Sequence, residues 1–162
     1  MAFATALVSA ATLATAAKPA ANPGTCKASR LVVWLDTSED AAAGSTTYTL
    51  EFTNESGHPC SLAGYPRVSA VDLRDHSLGS LGSPDRPTHP AALNIANGAT
   101  ASASIRIIDA RNFPAATCHP QEAAGLMVAP PNQTAAKLVP FPFEACSSVG
   151  PVVLYLKPVT GL

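Results

Sequence analysis

Aromatic and charged side chains are scarce in this chain of 162 residues. Aromatic residues make up 6% and charged residues 13%, and 10 basic residues nearly balance 11 acidic ones. A chain so close to neutrality has no cationic surface field to attract a phosphate backbone or an anionic membrane, so we expect no nucleic-acid partner. With 47% hydrophobic residues and so little net charge, the composition excludes a disordered chain and indicates a folded domain.

Uninterrupted helical stretches are also scarce, because 15 prolines and 10 glycines break the chain into short segments. This distribution favours short strands joined by turns. The length suits one domain, and no repeat or internal linker divides it. We therefore predict a single domain over residues 26–161.

The apolar run over residues 1–17 contains no charged residue and is shorter than the about 20 apolar residues of a membrane span. It ends in Ala14-Thr15-Ala16-Ala17, and signal peptidase accepts small residues of this kind. We predict a signal peptide over residues 1–17, a short polar linker over 18–25, and no membrane span after signal removal. No Lys or Arg precedes the apolar run, so an apolar helix or tail of an intracellular protein is the alternative.

Four cysteines are spread along the chain without a C-x-x-C pair or a histidine at zinc-ligand spacing. We interpret them as disulfide partners in an exported protein. Four cysteines allow three pairings. We favour Cys26 with Cys60 and Cys118 with Cys146, because each pair encloses a self-contained strand and turn. Free buried thiols in a cytosolic protein are the alternative.

Alternating and β-branched segments predict most of the strands. Thr46–Asn54 and Thr100–Ile107 alternate between apolar and polar residues, as strands with one buried face do. Ser29–Asp36 lacks a clean alternation, which predicts a strand buried on both faces or near a sheet centre. Ala92–Ile95 is expected to pair with Thr100–Ile107 through the Asn97-Gly98 turn. Further short strands are expected at Arg67–Leu73, Leu126–Val128, Leu138–Phe143 and Val152–Leu156.

Prolines and polar residues predict where the strands end. Leu126–Val128 and Leu138–Phe143 are limited by nearby prolines to sheet edges or ends. Thr37–Ser45 and Ser77–Pro90 are expected to be loops, and residues 120–124 are the one segment after the signal peptide that suits a helical turn. About eight or nine short strands at roughly ten-residue spacing predict an all-β fold, an antiparallel β-sandwich stabilised by disulfides.

A block after the second strand carries a family resemblance. It reads N-x-S-G-x-x-C-x-L-x-G-Y-P and is the most specific part of the match. Its named positions are Asn54, Cys60, Leu62, Gly64, Tyr65 and Pro66, joined further on by Pro130 and Pro131. With the Asn97-Gly98 turn and the segment Cys118-His119-Pro120, the series from about Cys26 to Gly161 resembles the secreted actinobacterial family called domain of unknown function 4232.

The resemblance implies an exported, disulfide-bearing, immunoglobulin-like β-sandwich, and it implies no activity and no catalytic residue. Two turns depart from the family pattern. Arg74-Asp75-His76 stands where members usually carry a glycine, and Ala96-Asn97-Gly98 replaces a common Pro-Gly. Because both departures lie in turns, they leave the expected fold unchanged.

No group of residues forms a recognisable catalytic or metal-binding pattern. The histidines are at least 13 residues apart, and most lie in Pro- or Ser-rich turns, so we interpret them as surface residues rather than metal ligands. They are His58, His76, His89 and His119. Ser80 lacks the G-x-S-x-G spacing of a nucleophile, and Asp72 and Asp75 share one turn, as solvated carboxylates do. We therefore expect no cofactor and no metal ion.

Two aromatic residues invite a functional interpretation. Trp34 lies between Cys26 and Cys60, but these cysteines are too close in sequence for an antibody-type core, so we expect ordinary core packing for Trp34. Tyr65 is interpreted as a turn aromatic that covers the disulfide between Cys26 and Cys60. A platform on which a ligand stacks is the alternative for Tyr65.

The sequence favours a non-catalytic module, secreted or associated with the cell envelope, that binds a protein or a glycan through loops on a rigid scaffold. One alternative is a metal-dependent or hydrolytic secreted enzyme that uses the loop histidines. Another is a structural component of the cell wall or spore surface. The sequence leaves the partner, the biological process and the oligomeric state open.

Overall fold

The computed structural model describes residues 23–86 and 88–161, and the fold within them is all-β. Twelve strands and one α-helical turn, α1 (Ala115–Cys118), lie in this part of the chain. The strands are β1 (Leu31–Ala42), β2 (Ser45–Asn54), β3 (Cys60–Leu62), β4 (Arg67–Val71), β5 (Ser77–Leu78), β6 (Ser83–Pro84), β7 (Leu93–Ile95), β8 (Thr100–Ile108), β9 (Pro120–Ala129), β10 (Lys137–Cys146), β11 (Leu154–Leu156) and β12 (Thr160–Gly161).

The N-terminal expectations fall mostly outside this range. The signal peptide over residues 1–17 lies outside the described residues, as does residue range 18–22 of the expected linker. The last two linker residues, Gly24 and Thr25, attach to β3. The Ser61 N–H donates to the Gly24 carbonyl oxygen at 2.9 Å, and Thr25 forms a parallel bridge with Ser61.

Two larger sheets enclose one core in a sandwich-like arrangement. The first has the strand order β1-β2-β8-β11-β6, with β12 also paired to β8, and the second has the order β10-β9-β4-β5. Buried side chains from both sheets form the core, among them Leu50, Phe52 and Ile105 from the first and Val68, Leu126 and Val139 from the second. The predicted all-β, sandwich-like fold is confirmed, but the described residues form twelve strands where eight or nine short ones were expected.

Both disulfides have the favoured pairing. Cys26 is bonded to Cys60 and Cys118 to Cys146, with sequence separations of 34 and 28 residues. The first joins the segment before β1 to the start of β3, and the second joins the end of α1 to the end of β10. All four sulfur atoms are used, and the four cysteines are buried.

The alternation in β8 is confirmed, but its expected hairpin with β7 is wrong. Buried and half-buried residues alternate along the whole of β8. β8 pairs over nine positions with β2, whereas β7 pairs with β3. The Asn97-Gly98 turn instead packs on the end of β2, since Gly98 N–H donates to the Asn54 carbonyl oxygen at 2.7 Å. A long strand offers β8 more ladder hydrogen bonds than the three residues of β7 do.

The expected loop at Thr37–Ser45 is wrong, because β1 continues to Ala42 and turns into β2 at Gly44. A register shift between Asp36 and Asp40 accommodates the polar residues as a bulge. β1 is also an edge strand rather than a central one. Only one face of it is covered, which is why so many polar residues fit within a strand.

The expected helical turn at residues 120–124 is wrong, because these residues begin β9. The helical turn lies just before, at α1, and ends where His119 adopts a left-handed φ of 47°. Pro120 can begin a strand, where a missing N–H group is tolerated. β9 lies between β10 and β4, so the expected edge position is confirmed for β10 only. The expected loop at Ser77–Pro90 contains the two-residue strands β5 and β6.

Candidate functional site

Asn54 is a buried hydrogen-bonding centre at the end of β2. Its side-chain Nδ2 donates to the carbonyl oxygens of His58 at 2.9 Å and Ile95 at 3.0 Å, and its Oδ1 accepts from the Ser56 N–H at 2.9 Å. The side chain is fully buried. Since each of these bonds fixes a backbone group, Asn54 determines the path of the turn into β3 and ties that turn to β7.

The other residues of the family block also hold backbone in place. Gly64 has a φ of 107°, a conformation that favours glycine, and its carbonyl oxygen accepts from the Val159 N–H at 2.9 Å. The Tyr65 hydroxyl donates to the Arg86 carbonyl oxygen at 3.2 Å and accepts from the Thr88 N–H at 3.0 Å. Tyr65 thus anchors the segment after β6.

The apolar members of the block complete the same corner. Buried residues of this group are Cys60, Leu62, Pro66, Pro130 and Pro131. Just beyond them, Gln133 Oε1 accepts from the Ala28 N–H at 2.8 Å, and Gln133 Nε2 donates to the Cys26 carbonyl oxygen at 2.7 Å. The residues most typical of the family therefore build a structural corner around the first disulfide.

A different surface carries the features of a binding site: the outer face of the first sheet, which we call the Trp34 face. It consists of the outward side chains of β1, β2 and β8, namely Val32, Trp34, Asp36, Thr49, Glu51, Thr53, Thr100, Ser102 and Ser104. Their alternation with core residues and the 2.9 Å contact between the hydroxyls of Thr53 and Thr100 place them on one side. The face is rich in hydroxyl groups.

Trp34 corrects the expectation of core packing. Its side chain is 45% exposed, and its neighbour on the same side of β1, Val32, is 40% exposed. Trp34 lies directly opposite Glu51 on β2, and Glu51 lies opposite Ser102 on β8. Directly opposed residues of neighbouring antiparallel strands have their Cβ atoms about 4.5–5.5 Å apart, so the indole and the carboxyl group are adjacent.

Glu51 is a buried acid at the centre of the Trp34 face. The residue is only 6% exposed, and within the described residues its Oε2 atom is buried without a hydrogen-bond partner. Burial raises the pKa of the Glu51 carboxyl group above its ordinary value, and the nearby Asp36 carboxylate raises it further. An unpartnered buried acid is costly for the fold, which makes it a candidate for a role other than stability.

Asp36 is held in the opposite state. Its Oδ1 accepts from the Ser38 backbone N–H at 2.9 Å, and this bond lowers the pKa of the Asp36 carboxyl group. Asp36 therefore stays ionised beside Trp34. Within residues 23–86 and 88–161, no Lys, Arg or His forms an ion pair with either acid. Arg106 lies two positions beyond Ser104 on β8. Its guanidinium group forms an ion pair with Asp85 at 3.6 Å and stacks on the ring of Tyr155.

Replacing Glu51 by glutamine is expected to make the protein more stable at neutral pH. Because the folded-state pKa of Glu51 is raised, the wild type loses stability as the pH rises from the ordinary value of 4.5 through the raised one. The glutamine side chain of E51Q cannot ionise. The free energy of unfolding of E51Q should exceed that of the wild type by about 1 kcal/mol at pH 7, and the gap should close below pH 4.5.

Urea unfolding measured from pH 4 to pH 8 checks this expectation, with Glu55→Gln as the matched control. Glu55 is an exposed acid in the turn after β2. Its replacement should leave the pH dependence of stability unchanged. Parallel pH profiles for wild type and E51Q would show that Glu51 is not titrating abnormally.

The histidines lie in separate exposed turns. His58 approaches Ser56, the Nδ1 atom of His76 lies 3.4 Å from Asp72 Oδ2, and the Nδ1 atom of His119 lies 2.7 Å from the Ser148 hydroxyl. His89 is exposed. In the described part of the chain no three His, Cys, Asp or Glu residues are grouped so that they could hold a metal ion. Ser80 is a loop residue whose hydroxyl accepts from the Gly150 N–H at 2.9 Å.

A cleft of about 290 Å³ between the start of β2 and β10 has fewer unpaired polar groups than the Trp34 face. Tyr48 and Phe141 pack edge to face at 4.8 Å on its wall. The charged group at its rim is already satisfied, because the Nε and Nη2 atoms of Arg111 both donate to Asp109, at 3.0 and 2.9 Å. This pairing lowers the pKa of Asp109.

Sequence reasoning missed the Trp34 face because both sides of Leu31–Asp36 are apolar. Leu31, Val33 and Leu35 form one side, Val32 and Trp34 the other, and apolarity alone does not say which side is covered. The available signal was Asp36, which shares the side of Trp34. A carboxylate on that side indicates that the side faces solvent. Because side chains alternate along a strand, Trp34 lies on the same side as Asp36 and its indole is expected to point outward.

These features define a class of protein: a disulfide-bonded, all-β domain with a sandwich-like core and no assembled metal cluster in its described residues. The chain belongs to the family described as Domain of unknown function (DUF4232), whose model matches residues 26–157. No curated protein and no solved structure matches it. Across the described residues, no helix has the length and apolar character needed to cross a membrane.

Proposed function

We propose that this protein is an exported, non-catalytic binding module of the cell envelope or extracellular space, and that it contacts its partner through the Trp34 face. The observation that carries the proposal is the pairing of an exposed indole with an adjacent buried acid that has no partner for Oε2 among the described residues. The partner is an envelope protein or a glycan.

Export is supported by the cysteines and by the N-terminal sequence. All four cysteines are in disulfides, and such bonds persist in oxidising compartments outside the cytosol. The apolar run over residues 1–17 with its small terminal residues is typical of a signal peptide. Both observations favour an extracellular environment.

Binding is favoured over catalysis by the shape of the face. Two carboxyl groups with pKa values pushed in opposite directions, as in Asp36 and Glu51, also occur in acid–base catalysts. Here the Oε2 atom of Glu51 is shielded in an otherwise open sheet, so a scissile bond cannot reach it. An exposed tryptophan on a rigid sheet is typical of a contact residue, since Trp is enriched among residues that dominate binding energy.

Trp34→Ala is expected to weaken binding to purified envelope material about tenfold or more, as truncation of a central contact residue does. The full secreted chain is incubated with envelope material, and the bound fraction is measured by cosedimentation over a concentration series. Since Trp34 is half exposed on an edge strand, the melting temperature should change little.

Leu73→Ala is the matched control for this experiment. Leu73 is also a large exposed apolar residue, 94% exposed, in the turn after β4. Its truncation removes apolar surface away from the Trp34 face and should leave binding unchanged. Equal binding by wild type and W34A would refute the proposed surface.

A further inference from the structure

None of the nine residues that define the Trp34 face is basic. Asp36 is ionised, and Glu51 is a buried acid whose ionisation Asp36 opposes. Further along β1, Glu39 and Asp40 are exposed and add negative charge beyond the bulge. The basic residue of β8, Arg106, is already bound to Asp85 and stacked on Tyr155. Lys157, which adjoins Ser104 through its backbone, has an exposed side chain and forms no ion pair within the described residues.

The position of the indole fits a cation in this setting. Trp34 has Asp36 two residues along the same side of β1 and Glu51 directly across on β2. An exposed indole attracts a cation over its ring face, and Trp does so best of the aromatic residues. A cation placed on Trp34 would therefore also lie beside Asp36 and Glu51. Its positive charge would reduce the electrostatic repulsion between these two carboxyl groups.

The shape of the face indicates the size of the partner. Small molecules usually bind in concave sites that cover most of their surface. The Trp34 face is the outer side of a three-strand region, where Trp34 and Val32 stand exposed beside half-buried hydroxyl residues. The outer face of a sheet with an exposed indole suits a macromolecule that presents a cationic side chain.

We propose that the Trp34 face binds a basic segment of a partner protein, with an Arg or Lys side chain stacked on Trp34 and paired with Asp36, beside the buried Glu51. The inference rests on the proposed function, because it names the partner of that same surface. The charge complementarity of the site favours this occupant over a neutral glycan, for which the acids would offer hydrogen bonds alone. No covalent step is involved.

The test uses the full secreted chain and three probes. They are a fluorescently labelled peptide with three arginines spaced by Gly-Ser, the same peptide with citrulline in place of arginine, and a neutral chito-oligosaccharide. Peptide affinity is measured by fluorescence anisotropy. Because Trp34 is the single tryptophan of the chain, its intrinsic emission reports independently whether any probe reaches the face.

We expect the arginine peptide to bind saturably and to change the Trp34 emission, and the citrulline peptide to bind roughly tenfold more weakly. Trp34→Leu keeps apolar area but removes the ring, and Asp36→Asn removes a charge. Each substitution should lower the affinity for the arginine peptide roughly fivefold or more, and added salt should lower that affinity further. Asp75→Asn, in the turn between β4 and β5, should have no effect.

Equal affinity for the arginine and citrulline peptides would overturn the inference, as would an absence of saturable binding by the arginine peptide up to about 1 mM. A chito-oligosaccharide that alters the Trp34 emission while the arginine peptide does not would also overturn it, yet leave the Trp34 face as the binding surface. Failure of the proposed function is a separate result, namely envelope binding that Trp34→Ala leaves unchanged.

Discussion

Removing the disulfide between Cys118 and Cys146 with a double alanine variant is expected to lower the free energy of unfolding by about 3 to 4 kcal/mol. The chain-entropy relation gives this value for a loop of this size, because the bond restricts the unfolded chain. The sequence separation is 28 residues. Small domains are stable by about 5 to 15 kcal/mol in total, so the loss is a large fraction of the stability.

The second disulfide also organises hydrogen bonds around it. The Ser147 N–H donates to the His119 carbonyl oxygen, and the Ser148 N–H donates to the Cys118 carbonyl oxygen, both at 3.1 Å. These bonds join the ends of α1 and β10 but, unlike the covalent bond, they are lost on unfolding. Removing the disulfide should therefore leave the native hydrogen bonds formed while the protein unfolds at a lower urea concentration.

Urea unfolding followed by circular dichroism measures the change, with the Cys26→Ala, Cys60→Ala double variant as a comparison. Its separation of 34 residues predicts nearly the same loss. A reducing agent breaks both disulfides of the wild type at once, so it should lower the unfolding midpoint by more than either double variant does. If neither the variants nor reduction lowers the unfolding midpoint, the disulfides do not stabilise the fold.

Asn54→Asp is expected to destabilise the protein by about 3 kcal/mol or more, and to do so more than Asn54→Ala. Two carbonyl oxygens, those of His58 and Ile95, accept hydrogen bonds from Nδ2 of Asn54. An aspartate would place a second oxygen against them and bury a charge, which costs more than a lost hydrogen bond. The alanine variant leaves the same carbonyl oxygens unpaired, which should lower the free energy of unfolding by about 2 kcal/mol.

Asn97→Ala serves as the control for Asn54. The Asn97 side chain is exposed and accepts from the Gly57 N–H at 2.7 Å in the same corner. Because water can replace this hydrogen bond, Asn97→Ala should lower the free energy of unfolding by less than about 1 kcal/mol. Thermal unfolding of all three variants decides the order. Equal stability of wild type and N54D would mean that the Asn54 bonds do not contribute to the fold.

The elements that the sequence predicts well are those whose pattern allows one interpretation. In β8, small and apolar residues from Ala101 to Ile107 alternate with polar ones, and the structure buries the apolar set. The disulfide pairing also follows from local enclosure, because each pair closes a segment of two paired strands, β1 with β2 and β9 with β10. The local sequence pattern is sufficient to predict an element when no strand distant in sequence competes for the same pairing.

Long-range competition explains most of the errors. The Asn97-Gly98 dipeptide does form a turn, but the hairpin is lost because β2 offers β8 a longer ladder than β7 does. Residues 120–124 suit a helical turn locally, yet they pair with the end of β10, where Cys146 lies opposite Pro120 and Phe143 opposite Ala123. No sequence neighbour of these segments reveals those partners.

The family signature and the candidate binding surface are different parts of this molecule. Asn54, Gly64 and Tyr65 hold the backbone of the turn into β3, of Val159 and of the segment after β6, whereas Trp34 and Glu51 lie on the outer face of β1 and β2. The residues of the family block stabilise the fold, so they identify the fold and do not indicate which partner the protein binds. This separation explains why a specific family resemblance implies no activity.

The bulge in β1 protects the open edge of the first sheet. A twelve-residue edge strand with regular pairing would present a row of free backbone groups, which invites another chain to add a strand. Here the register shift between Asp36 and Asp40 interrupts that row, exposed acids border it, and Lys137 Nζ donates to the Leu31 carbonyl oxygen near the other end. Aggregation through this edge is thereby discouraged, and partners must recognise the side chains of β1 rather than extend its sheet.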